Sequence, residues 1–381
     1  MCHMTNFDHA GRRFRFEERL AALDVDAVFL PPSGDLEYLT GFPRRKASFG
    51  NYEHVNQWVL GALLTPGRQP LFVIPQGYSA FQLPGGVDGD VVHVRNIDDG
   101  YEMFSEAIRS QGNLRRVGVT NRTWAATALQ IAKATDGAEL VNVQHEIEQM
   151  RWIKEAVELE VMTTSARICD VVMAEITAEV HAGVTEAEIA SKVDHLMVVH
   201  GGRTPSFDTG VFALGPSSTR DASIRIAGDP LSDGDALCFD FGTVVEGYCS
   251  DFGRTLHIGE PDDRYIEAYD VVIASQEAGR RSAVPGSTGR EVHAATRKVI
   301  EDAGYGEWYR HRTGHCIGLD THERPFISEE DTTPLEPNMT FTIEPSIFWP
   351  GTLGVRVEDI FVCAPGGAYS LNDYSKKLVS V

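Results

Sequence analysis

The sequence predicts a two-domain α/β protein, and three observations support this prediction. The 381 residues suffice for about two ordinary domains of ~150 residues each. Strand-like and helix-like segments alternate over residues 1–150, a pattern typical of α/β domains. Over residues 151–381 the pattern changes to helical segments and strand hairpins that contain an internal repeat. We therefore expect a domain boundary near residue 150.

The N-terminal half is predicted to form a mixed α/β unit. Short apolar runs indicate strands, and apolar positions three or four residues apart indicate helices. The predicted strands are 26–30, 57–64, 70–75, 90–94 and 115–120, and the predicted helices are 9–22, 101–110 and 123–134. The stretch 38–57 has no period and is predicted to be a long loop, a feature that is often functional in compact domains.

The C-terminal half opens with a helical stretch, 144–180, and then carries the internal repeat. Segments 181–197 and 284–300 each place a glycine two residues before a Thr-x-x-Glu capping box that opens an apolar-periodic helix. The matching residues are Gly183 and Gly286, Thr185 and Thr288, and Glu188 and Glu291. This repeat predicts a duplicated half-domain.

Composition excludes several classes of protein. Asp and Glu number 55 against 34 Lys and Arg, and the net charge of −21 argues against a nucleic-acid partner. No apolar run is long enough to span a bilayer, and the first 20 residues lack the apolar core of a secretory signal. The 6 cysteines show no C-x-x-C spacing, so neither a disulfide framework nor a zinc knuckle is indicated. We therefore expect a cytoplasmic protein without a membrane partner.

The strongest functional signal is the segment LCFDFGTVVEGYCSDFGRTLHIG (237–259), which is predicted to be a β-hairpin. If the turn is centred between Val245 and Glu246, Asp240 lies opposite Asp251 with Cβ atoms ~5 Å apart. The neighbouring apolar residues are typical of a buried sheet, which disfavours a solvated surface for the two carboxylates. An unpaired buried pair of carboxylates is costly, so a proton or a cation is required.

A second acidic pair is predicted near the C-terminus. The segment TFTIEPSIFWPGTLGVRVEDIFV (340–362) is again strand–turn–strand, and centring the turn on Gly351 puts Glu344 opposite Glu358. Between the hairpins, residues 311–323 supply three histidines: His311, His315 and His322. Four carboxylates with one or more imidazoles suit a divalent cation, or two cations that share carboxylates.

These motifs resemble those of the pita-bread metallohydrolases, which include prolidase, aminopeptidase P, methionine aminopeptidase and the metal-free relative creatinase. DFGTVVEGYCSDFGRT resembles the family's ligand hairpin, and GHCIGLDTHE resembles its G-H-G-I-G-L-x-x-H-E motif. TIEPS and GVRVED resemble two further motifs, and YLTGF resembles the N-terminal domain of the prolidase and creatinase branch. The resemblance implies a creatinase-type domain at 1–150 and a pita-bread catalytic domain with pseudo-twofold symmetry at 151–381.

The resemblance also implies a binuclear metal site. The implied ligands are Asp240, Asp251, His315, Glu344 and Glu358. Asp251 and Glu358 would bridge the two ions, and a water between the ions would be the nucleophile. Glu344 would accept the proton of that water and pass it to the leaving nitrogen. The oxygen-rich ligands suit Mn²⁺, with Zn²⁺, Co²⁺ and Fe²⁺ as alternatives.

Three further residues are implied to act near the substrate. His322 matches the family's second histidine, which steadies the substrate carbonyl or the oxyanion, and His311 matches a further pocket histidine. Arg356 lies two residues before Glu358 on the same strand face, where it would orient a carboxylate ligand or bind a substrate carboxylate. For each of the three, the alternative is a purely structural role as a core histidine or an ion pair.

The chain departs from the family pattern directly after His315, where Cys316 stands in place of the usual glycine. A thiol at this position would pack in the core, as most buried cysteines do. The two alternatives are an oxidation-sensitive site and an added soft ligand.

A second departure is the absence of the substrate-binding histidine that prolidases carry in the segment equivalent to 207–228. Counting along the motif places that histidine at Ala222 or Ser223. Ser223 is too short to replace an imidazole. Arg220 or Asp221 would instead contact a charged group on a different ligand, or His54 of a partner chain would restore the missing ring. We therefore expect Xaa-Pro dipeptides to be mediocre substrates.

The function implied by the resemblance is hydrolysis of a C–N bond in a small peptide or small-molecule amide, nearest to Xaa-Pro dipeptidases and aminopeptidases. One alternative is an amidohydrolase or lyase on the same fold, similar to ectoine hydrolase, creatinase or dimethylsulfoniopropionate lyase. The second alternative is a non-catalytic binding module on the same fold. The intact set of metal ligands disfavours this alternative.

The resemblance further implies a homodimer in which a loop of one chain helps to close the active site of its partner. The local candidate is the loop 44–57. Its residues that would reach the substrate are Arg44, Arg45, Lys46, Tyr52 and His54.

Overall fold

The computed structural model describes residues 6–44, 55–83, 85–217, 220–226 and 228–381. The chain divides into two compact units, Met1–Arg151 and Trp152–Val381. None of the helices in the described part of the chain combines the length and the apolarity that crossing a bilayer requires.

The N-terminal unit alternates strands with helices. Its helices are α1 (His9–Ala22), α2 (Gly34–Thr40), α3 (Gln76–Gln82), α4 (Gly100–Ser110), α5 (Ala125–Ala134) and α6 (Gln144–Trp152). Its strands are β1 (Ala27–Leu30), β2 (Gly61–Leu64), β3 (Leu71–Pro75), β4 (Asp90–Val94), β5 (Arg116–Val119) and β6 (Glu139–Asn142). They form one sheet in the order β4-β3-β2-β1-β5-β6, in which β2 runs antiparallel to both of its neighbours.

The predicted elements of this unit are confirmed, with three additions and one change. Strands β1, β2 and β3 are buried along their whole length, so they appear in the sequence as continuous apolar runs. The short helices α2 and α3 and the partly exposed edge strand β6 carry weaker patterns and were not predicted. The strand predicted at 57–64 begins with a 3₁₀ turn (Gln57–Val59) before β2.

The C-terminal unit contains four helices and thirteen strands in its described residues. The helices are α7 (Ala156–Thr177), α8 (Glu186–Val199), α9 (Asp263–Ser282) and α10 (Gly289–Asp302). The strands are β7 (Gly210–Leu214), β8 (Ala236–Phe241), β9 (Val244–Val245), β10 (Tyr248–Cys249), β11 (Phe252–His257), β12 (Gly314–Cys316), β13 (Glu323–Ile327), β14 (Thr340–Ile343), β15 (Ser346–Trp349), β16 (Leu353–Arg356), β17 (Asp359–Val362), β18 (Tyr369–Ser370) and β19 (Val379–Ser380). The helical stretch predicted at 144–180 is two helices, α6 and α7.

The C-terminal unit repeats one arrangement twice. Helices α7 and α8 accompany a sheet of order β19-β11-β8-β7, and α9 and α10 accompany a sheet of order β13-β12-β14-β17-β18. At the start of α8, Thr185 and Glu188 each accept a hydrogen bond from the other's backbone N–H, and Thr288 and Glu291 do the same at the start of α10. The predicted internal repeat is confirmed.

Candidate metal centre

Strand alternation directs Asp240 away from the helices. Leu237, Phe239 and Phe241 of β8 belong to the apolar cluster that includes the inner faces of α7 and α8. Because successive side chains of a strand point to opposite faces, Asp240 projects from the other face of the sheet. Its carboxylate is nevertheless buried, since the residue is only 5% exposed.

The register of the first hairpin differs from the prediction. Asp240 pairs with Gly253 rather than with Asp251, so the predicted direct opposition of the two aspartates is wrong. The turn is formed by Glu246 and Gly247, whose φ angles of 44° and 87° are both left-handed, as a tight hairpin turn requires. The observed pairing differs from the predicted pairing by two residues. Because side chains alternate with a period of two, Asp251 still lies on the same face of the sheet as Asp240.

The register of the second hairpin is confirmed. Ile343 pairs with Asp359, and Ser346 pairs with Arg356, so Glu344 and Glu358 lie opposite each other between these two pairs. Both glutamates are buried.

The two hairpins meet at Gly253. Its N–H and carbonyl exchange hydrogen bonds of 3.2 and 2.9 Å with the backbone of Glu358. A Cβ atom at Gly253 would lie 3.0 Å from side-chain atoms of Glu358, so glycine allows the closest approach of the two strands. This contact brings the acidic residues of both hairpins together.

The third ligand candidate comes from β12, where His315 and Cys316 point to opposite faces. The ring Nε2 of His315 lies 3.4 Å from Asp251 Oδ2 and 3.5 Å from Glu344 Oε1. Its Nδ1 is 3.1 Å from the carbonyl oxygen of Cys316, a contact that fixes the ring and leaves Nε2 to face the carboxylates. The Cys316 thiol packs in an apolar cluster, and burial raises its pKa, so the packing alternative describes this cysteine.

Three of these side chains form a triad with the dimensions of a metal site. Asp251, His315 and Glu358 are buried, and one donor atom from each lies within 4.8 Å of the others. Oδ1 of Asp251 and Oε2 of Glu358 are buried without a hydrogen-bond partner. Buried carboxylate oxygens without a partner are strongly destabilising, and a cation between them removes that cost. The donor set therefore fits a divalent metal ion.

Electrostatics around the triad support the same conclusion. Burial and the charge of neighbouring carboxylates raise the pKa of Asp251 to about 6. Burial, followed by the charge of Asp251, raises the pKa of Glu358 well above its usual value. For His315 burial favours the neutral ring, but the hydrogen bond to Asp251 and the charges of Glu344 and Asp251 together outweigh it and raise the imidazole pKa. A metal ion would supply the positive charge that favours the ionised carboxylates and the neutral imidazole.

Two arginines supply the positive charge on the other side of the centre. Arg356 and Arg225 both donate to Oδ2 of Asp240, and Arg356 also lies 3.2 Å from Oε2 of Glu344. Burial opposes ionisation of Asp240, but the two guanidiniums outweigh it and hold its pKa below the usual value. Ser346 fixes Arg356 in turn, accepting a 3.0 Å hydrogen bond from its Nε.

Two further histidines border the centre. The ring centroid of His322 lies 4.1 Å from that of His315 in an edge-to-face arrangement. Burial and then the charge of His315 lower the pKa of His322 to about 4. Burial and then the charge of Arg356 lower the pKa of His311 to about 4, and the Nε2 of His311 is buried without a hydrogen-bond partner. Both rings are therefore neutral near pH 7.

Two predicted substrate residues do not join this group. Arg220 lines a different cavity, of about 290 Å³, where it pairs with the buried Glu186 at 2.5 Å. Ser223 is exposed, and its N–H donates to Asp221. His54 lies outside the described residues, as do the other loop candidates except Arg44, which pairs with Glu37 at 2.7 Å.

The sequence reasoning missed Arg225. Arg225 lies in the segment 207–228, and no residue-spacing pattern marks an arginine there as functional. Its contact with Asp240 depends on how the segment 220–226 folds back over β7, where the carbonyl of Arg225 accepts a hydrogen bond from Val211. Contacts of this kind have no local sequence signature.

Comparison with known proteins identifies the two units. Residues 160–365 match the model of metallopeptidase family M24, and residues 12–153 match the creatinase/prolidase N-terminal domain. The first match alone covers more than half of the chain.

Similar proteins span most of the chain. An uncharacterised peptidase, YqhT, of Bacillus subtilis is 35% identical over 363 residues, covering 94% of this chain and 96% of the relative. A Pyrococcus horikoshii protein named Xaa-Pro dipeptidase is 31% identical over 279 residues, covering 73% of this chain and 79% of the relative. The solved structure of a Xaa-Pro dipeptidase from Bacillus anthracis superimposes with a TM-score of 0.85 at 27% identity, covering 98% of this chain and 100% of that one.

The family matches agree with the buried donor set, and the prolidase structures share the pita-bread architecture of this chain. The protein therefore belongs to metallopeptidase family M24, with a creatinase/prolidase N-terminal domain, and is a metal-dependent peptidase.

Proposed function

We propose that this chain is a binuclear metal dipeptidase that hydrolyses the C–N bond of small peptides. The proposed ligands are Asp240, Asp251, His315, Glu344 and Glu358. The observation that carries the proposal is the pair of buried, partnerless carboxylate oxygens beside His315. The names of the similar proteins, Xaa-Pro dipeptidases among them, support a dipeptide as substrate. Mn²⁺ is the proposed ion because four of the five ligands are carboxylates, with Zn²⁺, Co²⁺ and Fe²⁺ as alternatives.

Bound divalent ions would supply an activated water and would polarise the scissile carbonyl. Glu344 is the proposed proton carrier. Its Oε1 faces His315 at 3.5 Å, and its Oε2 is held by Arg356 at 3.2 Å, so the carboxylate is fixed within the acidic cluster. From that position it would accept a proton from water and deliver it to the leaving nitrogen. Arg356 is the proposed positioning residue, because it holds both Glu344 and Asp240.

His322 is the proposed donor to the substrate carbonyl, and His311 is proposed to contact the substrate beside it. Both rings line the same cavity as Arg356, and both are neutral near pH 7 because their pKa values are lowered to about 4. The neutral imidazole of His322 carries one N–H, which can donate a hydrogen bond to the carbonyl oxygen as negative charge develops on it. In His311 the one N–H is on Nδ1, which donates to the carbonyl oxygen of Arg312 at 2.6 Å, so Nε2 can only accept a hydrogen bond, for example from a substrate N–H.

The proposal also covers the roles of the two domains, the oligomeric state and the location of the protein. We assign catalysis to residues 151–381 and a supporting role to residues 1–150. A homodimer and a cytoplasmic location complete the proposal, the dimer being an implication of the resemblance to the prolidase and creatinase branch.

The test is a chelation and reconstitution experiment on the full chain. Protein stripped of metal by exhaustive dialysis against a chelator should release no amine from a panel of dipeptides, and added Mn²⁺ should restore release. Activity confined to non-peptide amides would favour the amidohydrolase alternative. Full dipeptide hydrolysis by metal-free protein would overturn the proposal.

A further inference from the structure

The cavity beside the metal centre is rich in arginine, although the chain as a whole is strongly acidic. It has a volume of about 970 Å³, and the histidines His311 and His322 line it. The arginines in its lining are Arg225, Arg297, Arg310, Arg312 and Arg356. Three glutamates also line it, Glu307, Glu329 and Glu330, but all three are exposed, where solvent screens their charge.

Three of the five arginines are neutralised by the protein itself. Arg356 holds Asp240 and Glu344, as described above. Arg297 pairs with Glu301 at 2.6 Å, and Arg310 pairs with Asp221 at 2.8 Å. These three guanidiniums have their charge compensated without a ligand.

Arg312 is different. Among the described residues, its side chain makes no hydrogen bond or ion pair, and its Nε is buried without an acceptor. The guanidinium carbon lies 4.7 Å from the ring centroid of Phe326, a contact that holds the group in place but accepts none of its N–H bonds. Arg312 therefore lines the cavity with a guanidinium whose charge no carboxylate of the described residues compensates, and such a group favours an anionic acceptor.

Arg225 is paired with Asp240, which is also a proposed metal ligand. Its side chain is 46% exposed and donates to Oδ2 of Asp240, the same oxygen that the buried Arg356 contacts. When a divalent ion binds Asp240, that carboxylate needs less positive charge from the protein. Arg356 is buried between its carboxylate partners and stays in place, whereas the half-exposed Arg225 is left to bind a second anion.

We propose that Arg225 and Arg312 form an anion-binding pair that selects dipeptides with an acidic side chain. Such a dipeptide carries two carboxylates, one at its C-terminus and one on its Asp or Glu residue, which matches the two guanidiniums that the protein leaves for a ligand. A proline-selective pocket would need apolar walls for the ring, but this cavity is lined by charged and polar groups. The inference deepens the proposed peptidase function and rests on it.

The test compares dipeptides that differ only by an amide in place of a carboxylate. On Mn²⁺-loaded protein, kcat/KM for Ala-Glu and Glu-Ala is measured against Ala-Gln and Gln-Ala. At least one acidic dipeptide should be preferred over its amide counterpart by about 10- to 150-fold, the value of a hydrogen bond to a charged group. Equal values for acid and amide in both pairs would overturn the proposal.

Matched variants assign the effect to residues. Arg312→Gln should remove most of the preference while leaving the amide dipeptides within about 3-fold of the unmodified enzyme. Arg225→Gln should also remove most of the preference, read as the ratio of acid to amide kcat/KM, because its contact with Asp240 will change the overall rate for both dipeptides. The control is Arg310→Gln, which removes an arginine of the same cavity that is already paired, and it should retain the preference. A preference that survives both Arg225→Gln and Arg312→Gln would overturn the assignment.

A binding measurement separates this inference from the proposed function. Glutarate and its monoamide are titrated calorimetrically into the Mn²⁺-loaded protein and into the three variants. Glutarate should bind at least about 10-fold more tightly than the monoamide, and only Arg225→Gln and Arg312→Gln should lose the difference. If no dipeptide is cleaved but this pattern holds, the peptidase proposal fails and the anion pair stands; if dipeptides are cleaved without it, the anion pair fails.

Discussion

Burial without a matching partner is what makes Asp251 and Glu358 chemically distinctive. Each carboxylate has a buried oxygen without a hydrogen-bond partner, and the pKa of each is raised. Among the described residues, the nearest cation to that oxygen of Glu358 is Arg356, at 3.8 Å. Asp240 shows the opposite case, because two arginines satisfy it and hold its pKa low. The cluster is therefore divided between two carboxylates that await a cation, Asp251 and Glu358, and two that arginines contact closely, Asp240 and Glu344.

Replacing Asp251 should be more damaging than replacing His322. Asp251→Ala removes a proposed bridging ligand, so metal should be lost and kcat/KM should fall by more than about 10³-fold. His322→Ala removes one donor to the carbonyl, and kcat should fall by about 10²-fold with metal content unchanged. Metal content by mass spectrometry and steady-state kinetics provide the comparison. A fully metal-loaded Asp251→Ala protein, or the reverse order of rate losses, would contradict these roles.

The lowered pKa of His311 predicts an acid-dependent loss of stability. The folded ring has a pKa of about 4 against 6.5 for the ordinary value, so the unfolded chain binds the proton more readily. Protonation of this histidine therefore leaves the free energy of unfolding unchanged above pH 6.5. As the pH falls from 6.5 towards 4, it lowers the free energy of unfolding by about 3 kcal/mol. Urea unfolding of metal-free protein at several pH values between 7 and 4 measures how steeply the free energy of unfolding falls with pH. The fall should be shallower in His311→Gln. Identical slopes would show that His311 is not held neutral.

The absent prolidase histidine predicts poor turnover of Xaa-Pro dipeptides. Counting along the sequence places that histidine at Ala222 or Ser223, and the exposed Ser223 offers no imidazole. Loss of one hydrogen bond to the transition state costs about 1.5–3 kcal/mol, or about 10–150-fold in rate. A kcat/KM above ~10⁵ M⁻¹s⁻¹ for a simple Xaa-Pro dipeptide would show that another group replaces the histidine.

Among the structural elements, the two hairpins show how far a sequence can specify geometry. The second was predicted in its correct register because Pro350-Gly351 marks its turn, and Gly351 adopts the expected left-handed conformation with φ of 71°. The first was predicted two residues out of register, because its turn requires a left-handed Glu246, which few non-glycine residues adopt. Since a two-residue slip preserves the strand face, the acidic cluster was nevertheless predicted from the sequence.

The close approach of β12 and β14 should make Gly314 essential for placing His315. A Cβ atom at Gly314 would lie 2.0 Å from the backbone oxygen of Thr342, so Gly314→Ala must push the strands apart. We expect a loss of about 1–3 kcal/mol in unfolding free energy and weaker Mn²⁺ binding. The control, Gly228→Ala, meets no atom within 4 Å and should change stability by less than about 0.5 kcal/mol. Unaltered Mn²⁺ affinity in Gly314→Ala would contradict this account of β12.

For the whole molecule, the metal centre is a product of the internal repeat. One half contributes β8 and the turn before β11, the other contributes β12, β14 and β17, and the Gly253–Glu358 bridge joins them. The repeat was visible in the sequence because its capping boxes are local patterns. The arginine contacts around Asp240 were only partly foreseen: Arg356 lies on a predicted strand, whereas Arg225 reaches the site through a loop whose path has no periodic signal.

The proposed homodimer is a prediction at this scale. Light scattering at micromolar protein should give a mass of about twice the 41.9 kDa of one chain. Particles of a single chain's mass across this concentration range would contradict it.

The central claim is that two divalent ions bind among Asp240, Asp251, His315, Glu344 and Glu358. The most direct test is diffraction at the manganese absorption edge from crystals of Mn²⁺-loaded, catalytically active protein. We predict two anomalous peaks per chain, both in contact with Asp251 and Glu358. An active protein whose ions lie elsewhere, or whose five side chains enclose no anomalous peak, would contradict the account.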